Sequence, residues 1–466
     1  MTRTGINYEG RDPRFAAAVL PLAEVVEVTP DAIATLRDGR VVIPEETLRE
    51  LRAIARRTPV TLHGVGLSIA SADAMNESYL ALVDELMLNV DVAWHSEHLG
   101  YTTIDGENLG TMLVPPRTVE ALELICERVE SIQRRYAKAF LLEHVVNLFP
   151  DPGGDSSAAG FLNEIVRRTG CGLILDVYNL ECDVHNGLCN AEEFLEELEL
   201  AAVREIHIAN GTIDRGLRVD VHSRVTRDET LAMLRDVLPR TPNVEAVIFE
   251  MLGPYVGPTG VEAVAAELER VRRAAVSAAV GERPARRPMA TGRDARSLRA
   301  RTPALLEHQR AMRDLIQRGA VADDPYIEQA SRAIGLEVTR DTTRGWRVFR
   351  LGQNCRFTTA MLRARGRHGE VLAAIDSVTS PFIEELSRAF LDAAIALGDA
   401  LIASVARLER SMLSDEETVV DWPCDPYEVL GPLLRGELPP ELPYMRYKTV
   451  VSRAMPGRFR VLTEES

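Results

Sequence analysis

The chain has 466 residues, with 54 basic and 70 acidic side chains and a formal net charge of −16. That length admits two or three domains of ~150 residues, or one α/β barrel of ~250 with a second module, and the negative balance excludes the basic field with which a protein tracks phosphates. Six cysteines are too sparse for a disulfide framework, MTRTGINYEGRDPRF lacks the apolar core of a signal peptide, and no run approaches the ~18 apolar residues of a spanning helix, so a reduced cytoplasmic protein without membrane or nucleic-acid partner is expected.

From the start to about residue 280, short β-rich apolar runs alternate with stretches of helical period. The predicted strands are, in order, TRTGIN, EVVEV, PVTLH, VDVAWH, AFLLE, CGLILD, VREIHI and VEAVIFE. Between them lie amphipathic helices such as PEETLRELRAIARR, where Leu48, Leu51 and Ile54 recur every three residues, and TVEALELICERVESIQRRY. Eight such units predict an α/β fold, a (β/α)8 TIM barrel over residues 1–280. A doubly wound open sheet is the rival, and no Gly-rich phosphate fingerprint supports it. Residues 281–301, GERPARRPMATGRDARSLRAR, lack periodic apolar positions and read as a linker. Residues 302–466 read as a second, mainly α-helical domain with a short β element near its end.

In a barrel enzyme the residues at the C-terminal strand ends face the open mouth. Here His63 ends its strand, His95 and His98 end or follow theirs, and Glu143, Asp176, His207 and Glu250 stand at or near the ends of theirs. The loop after the seventh strand adds Asp220 and His222, and the loop after the sixth adds His185. Any one of these has a plain structural reading as a cap or a bonded polar group. Together they crowd like charges into one cleft, which bound cations would relieve. Imidazole and carboxylate donors without thiolates suit Fe, Mn or Zn, and their number exceeds what one ion takes, which favours two or three metals with bridging carboxylates. The spacing Cys182, His185, Cys189 weighs less as a zinc site because no fourth ligand accompanies it. Serine-hydrolase, P-loop and H-E-x-x-H motifs are absent.

The motifs LHGVGLS, SEHL, LVPPRTVEAL with FLLEH, TGCGLILDVYN, EIHIA and VDVH, in this order from about Gly5 to Glu250, resemble the multinuclear non-heme iron-dependent oxidative enzymes that modify ribosomally made peptides, typified by the methanobactin oxazolone synthase. The resemblance implies two or three iron ions, O2 as oxidant, and a precursor peptide often modified at cysteine. Residue by residue it implies His63, His98, Glu143, Asp176, His207, Asp220, His222 and Glu250 as iron ligands, with His185 less well matched. His95 is then an extra group, behind the ligands or facing substrate, and Asn179 joins it as a candidate for catalysis. The chain departs from the family pattern at His144, at Val177-Tyr178-Asn179, at Ile208-Ala209-Asn210-Gly211 and at Met251-Leu252, all beside ligand positions, so the residue attacked is open to Cys, Asp or Asn. The second half, in WRVFRLGQNCRFTTAMLRARG and DWPCDPYEVLGPLLRG, resembles the partner proteins of these enzymes, which implies binding of the precursor's leader. A helical dimerisation module, giving a homodimer, is the alternative. Rival functions are a divalent-metal sugar isomerase or epimerase, a barrel endonuclease, and a non-catalytic metal-stabilised scaffold.

Overall fold

The computed structural model describes residues 2–10, 13–37, 40–278, 303–376, 378–380, 382–414, 416–452 and 459–462; the expected linker 281–301 lies outside them. All eight predicted strands form: β1 (Arg3–Tyr8), β2 (Val25–Val28), β3 (Val60–Gly64), β4 (Val92–His98), β5 (Ala139–Glu143), β6 (Gly172–Asp176), β7 (Val203–Ile208) and β8 (Ala246–Phe249). They pair in parallel with their sequence neighbours, and β8 pairs with β1 to close the barrel.

Successive residues of a strand face opposite sides of the sheet, so each barrel strand splits into an inward and an outward set. The inward apolar residues Val25, Trp94, Leu141, Ile174, Ala246 and Ile248 pack together as a plug. Above them on the same inward faces lie Glu27, Thr61 and Glu205, and above these, toward the C-terminal strand ends, His63, His98, Glu143, Asp176, His207 and Glu250. The outward sets, such as Leu62, Phe140 and Leu142, join the main core under the surrounding helices.

The chain divides into two compact units, Met1–Arg340 and Asp341–Ser466. This places the division some forty residues later than the expected domain start at 302. The reason lies in helix Pro303–Arg318. Its Gln309, fully buried, donates from Nε2 to the carbonyl of Ala70 and accepts at Oε1 from the amide of Ala72, both at 2.7 Å. Arg310 and Arg313 pair with Asp105, and Arg318 with Glu107. A helix whose side chains complete buried backbone groups of the barrel loops belongs to the barrel unit, and neither composition nor period reports that.

In the second unit, helices Arg356–Ala364, His368–Asp376, Ile383–Ala396 and Ala400–Met412 precede an antiparallel three-stranded sheet of Thr418–Trp422, Tyr447–Val451 and Phe459–Leu462, with helix Pro426–Leu434 between its first two strands. Its core gathers Phe390, Leu391, Val405, Leu408 and Trp422, and the indole of Trp422 donates to Thr449 Oγ1 at 3.0 Å. The expected mainly helical region with a late β element is thus present.

Candidate metal centre

Two histidines and a carboxylate meet first. His98, at the end of β4, has Nδ1 2.9 Å from the carbonyl of Gly64, so Nδ1 carries the proton and Nε2 a lone pair. Ser96 Oγ donates to the carbonyl of Leu62 and lies 2.9 Å from His63 Nδ1. The hydroxyl has spent its proton, so His63 must donate from Nδ1, and its Nε2 is also a lone pair. These two Nε2 atoms are 3.3 Å apart and lie 2.9 Å (His63) and 3.1 Å (His98) from Glu143 Oε2. With both rings neutral, three acceptors therefore face one another, and only a cation or an added proton relieves them.

The second group shares Glu143. Its Oε1 lies 3.4 Å from His207 Nδ1, which is 3.1 Å from Glu250 Oε2, and Asp176 completes the set. Asp176 caps the helix Val177–His185: its Oδ1 accepts from the amides of Tyr178 and Asn179, which fixes the carboxylate and leaves Oδ2 buried without a partner. Glu143 Oε2, His207 Nδ1 and Glu250 Oε2 are likewise buried and make no hydrogen bond. Two donors each ~2.1 Å from one ion stand ~3.0–3.4 Å apart, so these spacings are those of a coordination shell. The residues present fit cations held on either side of Glu143, by His63, His98 and Glu143 and by Glu143, Asp176, His207 and Glu250.

The electrostatics agree. Burial works against ionisation of Glu143, but in the metal-free chain the protonated rings of His98, His207 and His63 take the place of cations and hold its carboxyl well below the usual range. Burial, with the charges of Glu143 and Asp220, pushes Asp176 well above it. Burial also opposes a charge on His207, yet Glu250, Glu27 and Glu143 raise its pKa well above that of a free imidazole. At the rim, His222 Nε2 is 2.6 Å from Asp220 Oδ1, and its Nδ1 is 3.7 Å from Glu250 Oε2. His222 adopts a left-handed backbone, φ 38°, a conformation uncommon for a residue with a Cβ.

The structure thus brings together His63, His98, Glu143, Asp176, His207 and Glu250, with Asp220 and His222 beside them. Asn179 donates from Nδ2 to the carbonyl of His144 at 3.2 Å and keeps a buried, unpartnered Oδ1, with Nδ2 3.5 Å from Glu143. His144 packs against Phe194, its Nε2 has no partner, and burial lowers its pKa.

Two predicted residues are not brought in. His95 is three positions from His98 on one strand, and an odd spacing puts the two on opposite faces. Its ring points outward, edge-on to Phe140 and Tyr136, with Nε2 2.9 Å from Glu97, whose carboxylate also accepts from Tyr79. His185 ends a nine-residue helix that starts at the mouth, which carries it about 13 Å away. It is exposed, with Nε2 3.1 Å from the carbonyl of Gly216. Among the described residues, neither Cys182 nor Cys189 joins a ligand cluster. Two buried acids went unread in the sequence: Glu27 and Glu205, inward-facing one step below the cluster, the latter accepting from Trp94 Nε1 at 2.7 Å. An acid within a run as apolar as EVVEV was the available signal.

Residues 12–275 match the family described as RiPP precursor modification enzyme MbnB/TglH/ChrH. A UPF0276 protein of Rhizorhabdus wittichii is 33% identical over 207 residues, 44% of this chain and 72% of that one. Another, of Caulobacter vibrioides, is 30% identical over 241 residues, 51% of this chain and 84% of that one. Solved structures with a similar barrel include D-psicose 3-epimerase from Clostridium cellulolyticum, at 13% identity and a TM-score of 0.38 over 60% of this chain and 97% of that one. Endonuclease IV from Thermus thermophilus has 17% identity and a TM-score of 0.37 over 59% and 99%. With its barrel, its convergent ligands and more than half its length matched, the chain belongs to the MbnB/TglH/ChrH family of RiPP precursor modification enzymes.

Proposed function

We propose that the protein is an O2-dependent, multinuclear iron enzyme that oxidises a residue of a ribosomally made precursor peptide, cysteine first and Asp or Asn next. One observation carries the reading: Glu143 turns one oxygen to the two Nε2 lone pairs of His63 and His98 and the other to His207, the arrangement of a carboxylate bridging two cations. Two or three bound irons would supply electrons for reducing O2 and Lewis acidity toward a substrate thiolate or carboxylate.

The chain's own residues do the rest. Gly64 and Ser96 fix the tautomers of His98 and His63, so neither ring must reorient to accept a ligand. Asp176 is held by the helix amides it caps, and Asn179 keeps an acceptor oxygen beside Glu143 for a donor on the substrate or for a cation. The walls are the buried inward faces of eight strands, which exclude water from the reacting groups. The second unit is proposed to bind the leader of the precursor, so that delivery of the core peptide is intramolecular and its effective concentration at the mouth is raised.

The test is iron analysis of the purified protein, then mass spectrometry of a precursor peptide incubated with it in air and under anaerobic conditions. Iron, and a mass change only in air, is the expected result; absence of iron or identical masses contradicts it. Turnover of a sugar without O2 would favour the isomerase reading, and metal that responds to neither peptide nor O2 the scaffold.

A further inference from the structure

The cluster under the metal centre contains more acidic side chains than ligation needs. Glu27 on β2 and Glu205 on β7 are both fully buried, and both flank the inner nitrogen of His207. His207 Nε2 lies 3.3 Å from Glu27 Oε2 and 4.0 Å from Glu205 Oε1. Glu205 is tied elsewhere, since its Oε2 accepts from the indole of Trp94. Neither oxygen of Glu27 makes a hydrogen bond, nor does His207 Nε2, and the two stand at ion-pair distance.

A neutral imidazole has one N–H. Placed on Nδ1, that proton would point at Glu143 and Glu250 and take the position of a cation, while the bare Nε2 would face the carboxylate of Glu27. Placed on Nε2, it points toward Glu27 Oε2, 3.3 Å away, and Nδ1 is free to join Glu143, Asp176 and Glu250 around an ion. We propose that Glu27 is a positioning residue: by accepting the Nε2 proton of His207 it selects the tautomer in which Nδ1 ligates, and its charge makes that nitrogen a stronger donor. Glu205, anchored by Trp94, sets the second wall of the slot and keeps the ring from turning. Carboxylates behind metal-bound histidines act in this way generally, and losing one weakens metal binding about 10- to 100-fold. The inference rests on the metal reading of the site but names a residue outside the ligand set.

The test uses the full chain, freed of metal by a chelator and titrated with Zn(II) against a competing chelator, with circular dichroism confirming the fold. Zn(II) needs no O2 and reports ligation without turnover. Glu27→Leu removes the acceptor, Glu27→Gln keeps an acceptor oxygen without the charge, and Thr61→Val alters a neighbouring buried position that makes no hydrogen bond. The expected order of affinity for one of the bound ions is wild type, then E27Q by at least about threefold, then E27L by about 10- to 100-fold, with T61V unchanged and the other ion unaffected. If E27L does not fold, E27Q decides. Wild-type affinity in the folded Glu27 variants overturns the proposal and leaves the metal centre standing. So does loss of a whole ion together with its counterpart in Glu205→Leu, which would make Glu27 a ligand. A wild-type chain that binds no Zn(II) or iron sinks the metal reading and this inference with it.

Discussion

Individual side chains at the mouth are fixed by hydrogen bonds that leave only one lone pair for a cation. Replacing Glu143 by Gln puts an amide where the two proposed ion positions would share an anion, so the variant should lose at least one ion per chain by elemental analysis; full metal content would remove Glu143 from the bridge. His95→Phe should keep the wild-type metal count, because the ring faces Phe140 and Tyr136 outside the barrel, whereas His98→Ala should not. The parity of the strand separates these two histidines, and the sequence contained that information in the spacing of WHSEH. Glu27 and Glu205 were harder to see, since a run such as EVVEV shows an acid among apolar residues but not what that acid faces across the barrel.

Protonation gives a further test at this scale. Burial disfavours a charge on His222, but Asp220 and Glu250 outweigh it and raise its pKa from 6.5 to about 10. A raised histidine pKa contributes stability that is complete below about 6.5 and fades as pH rises through about 10. In the metal-free chain, then, this ring stabilises the fold least at high pH. A cation bound there replaces the proton, so the gain in Tm on adding metal should grow between pH 6.5 and 10. A gain that is flat or shrinks over that window would detach His222 from the centre.

Among the elements, the eight strands were legible because each is a short apolar run between turn residues, and the ligands were legible because they stand at the strand ends. What the strands do behind the site was not. Gly64 accepts from His98 and sits against β4 so closely that a Cβ would lie 1.8 Å from Tyr79 Oη and 2.2 Å from Glu97 Oε1. Gly64→Ala should therefore push β3 or Tyr79 aside, at a cost of about 1–3 kcal/mol for overpacking, and loosen His98. Thermal unfolding and metal titration together check it, and a variant as stable and as metal-retentive as wild type would contradict the close approach.

For the whole molecule, the barrel unit runs to Arg340, and the helix at Pro303–Arg318 is part of it. Gln309→Ala would strand the carbonyl of Ala70 and the amide of Ala72, each costing about 1–3 kcal/mol when buried unpaired. Its Tm should fall by several degrees, and an unchanged Tm would show those groups to be satisfied otherwise. No compositional shift marks this boundary, because the helix is amphipathic like its neighbours and only its partners reveal its allegiance. No helix among the described residues is long and apolar enough to cross a membrane.

The central claim is that cations occupy the strand ends on both sides of Glu143. Anomalous diffraction from crystals of the iron-loaded chain tests it most directly. Peaks between His63, His98 and Glu143 and between Glu143, Asp176, His207 and Glu250 are predicted. Iron found elsewhere, or no peak among these side chains, would contradict it.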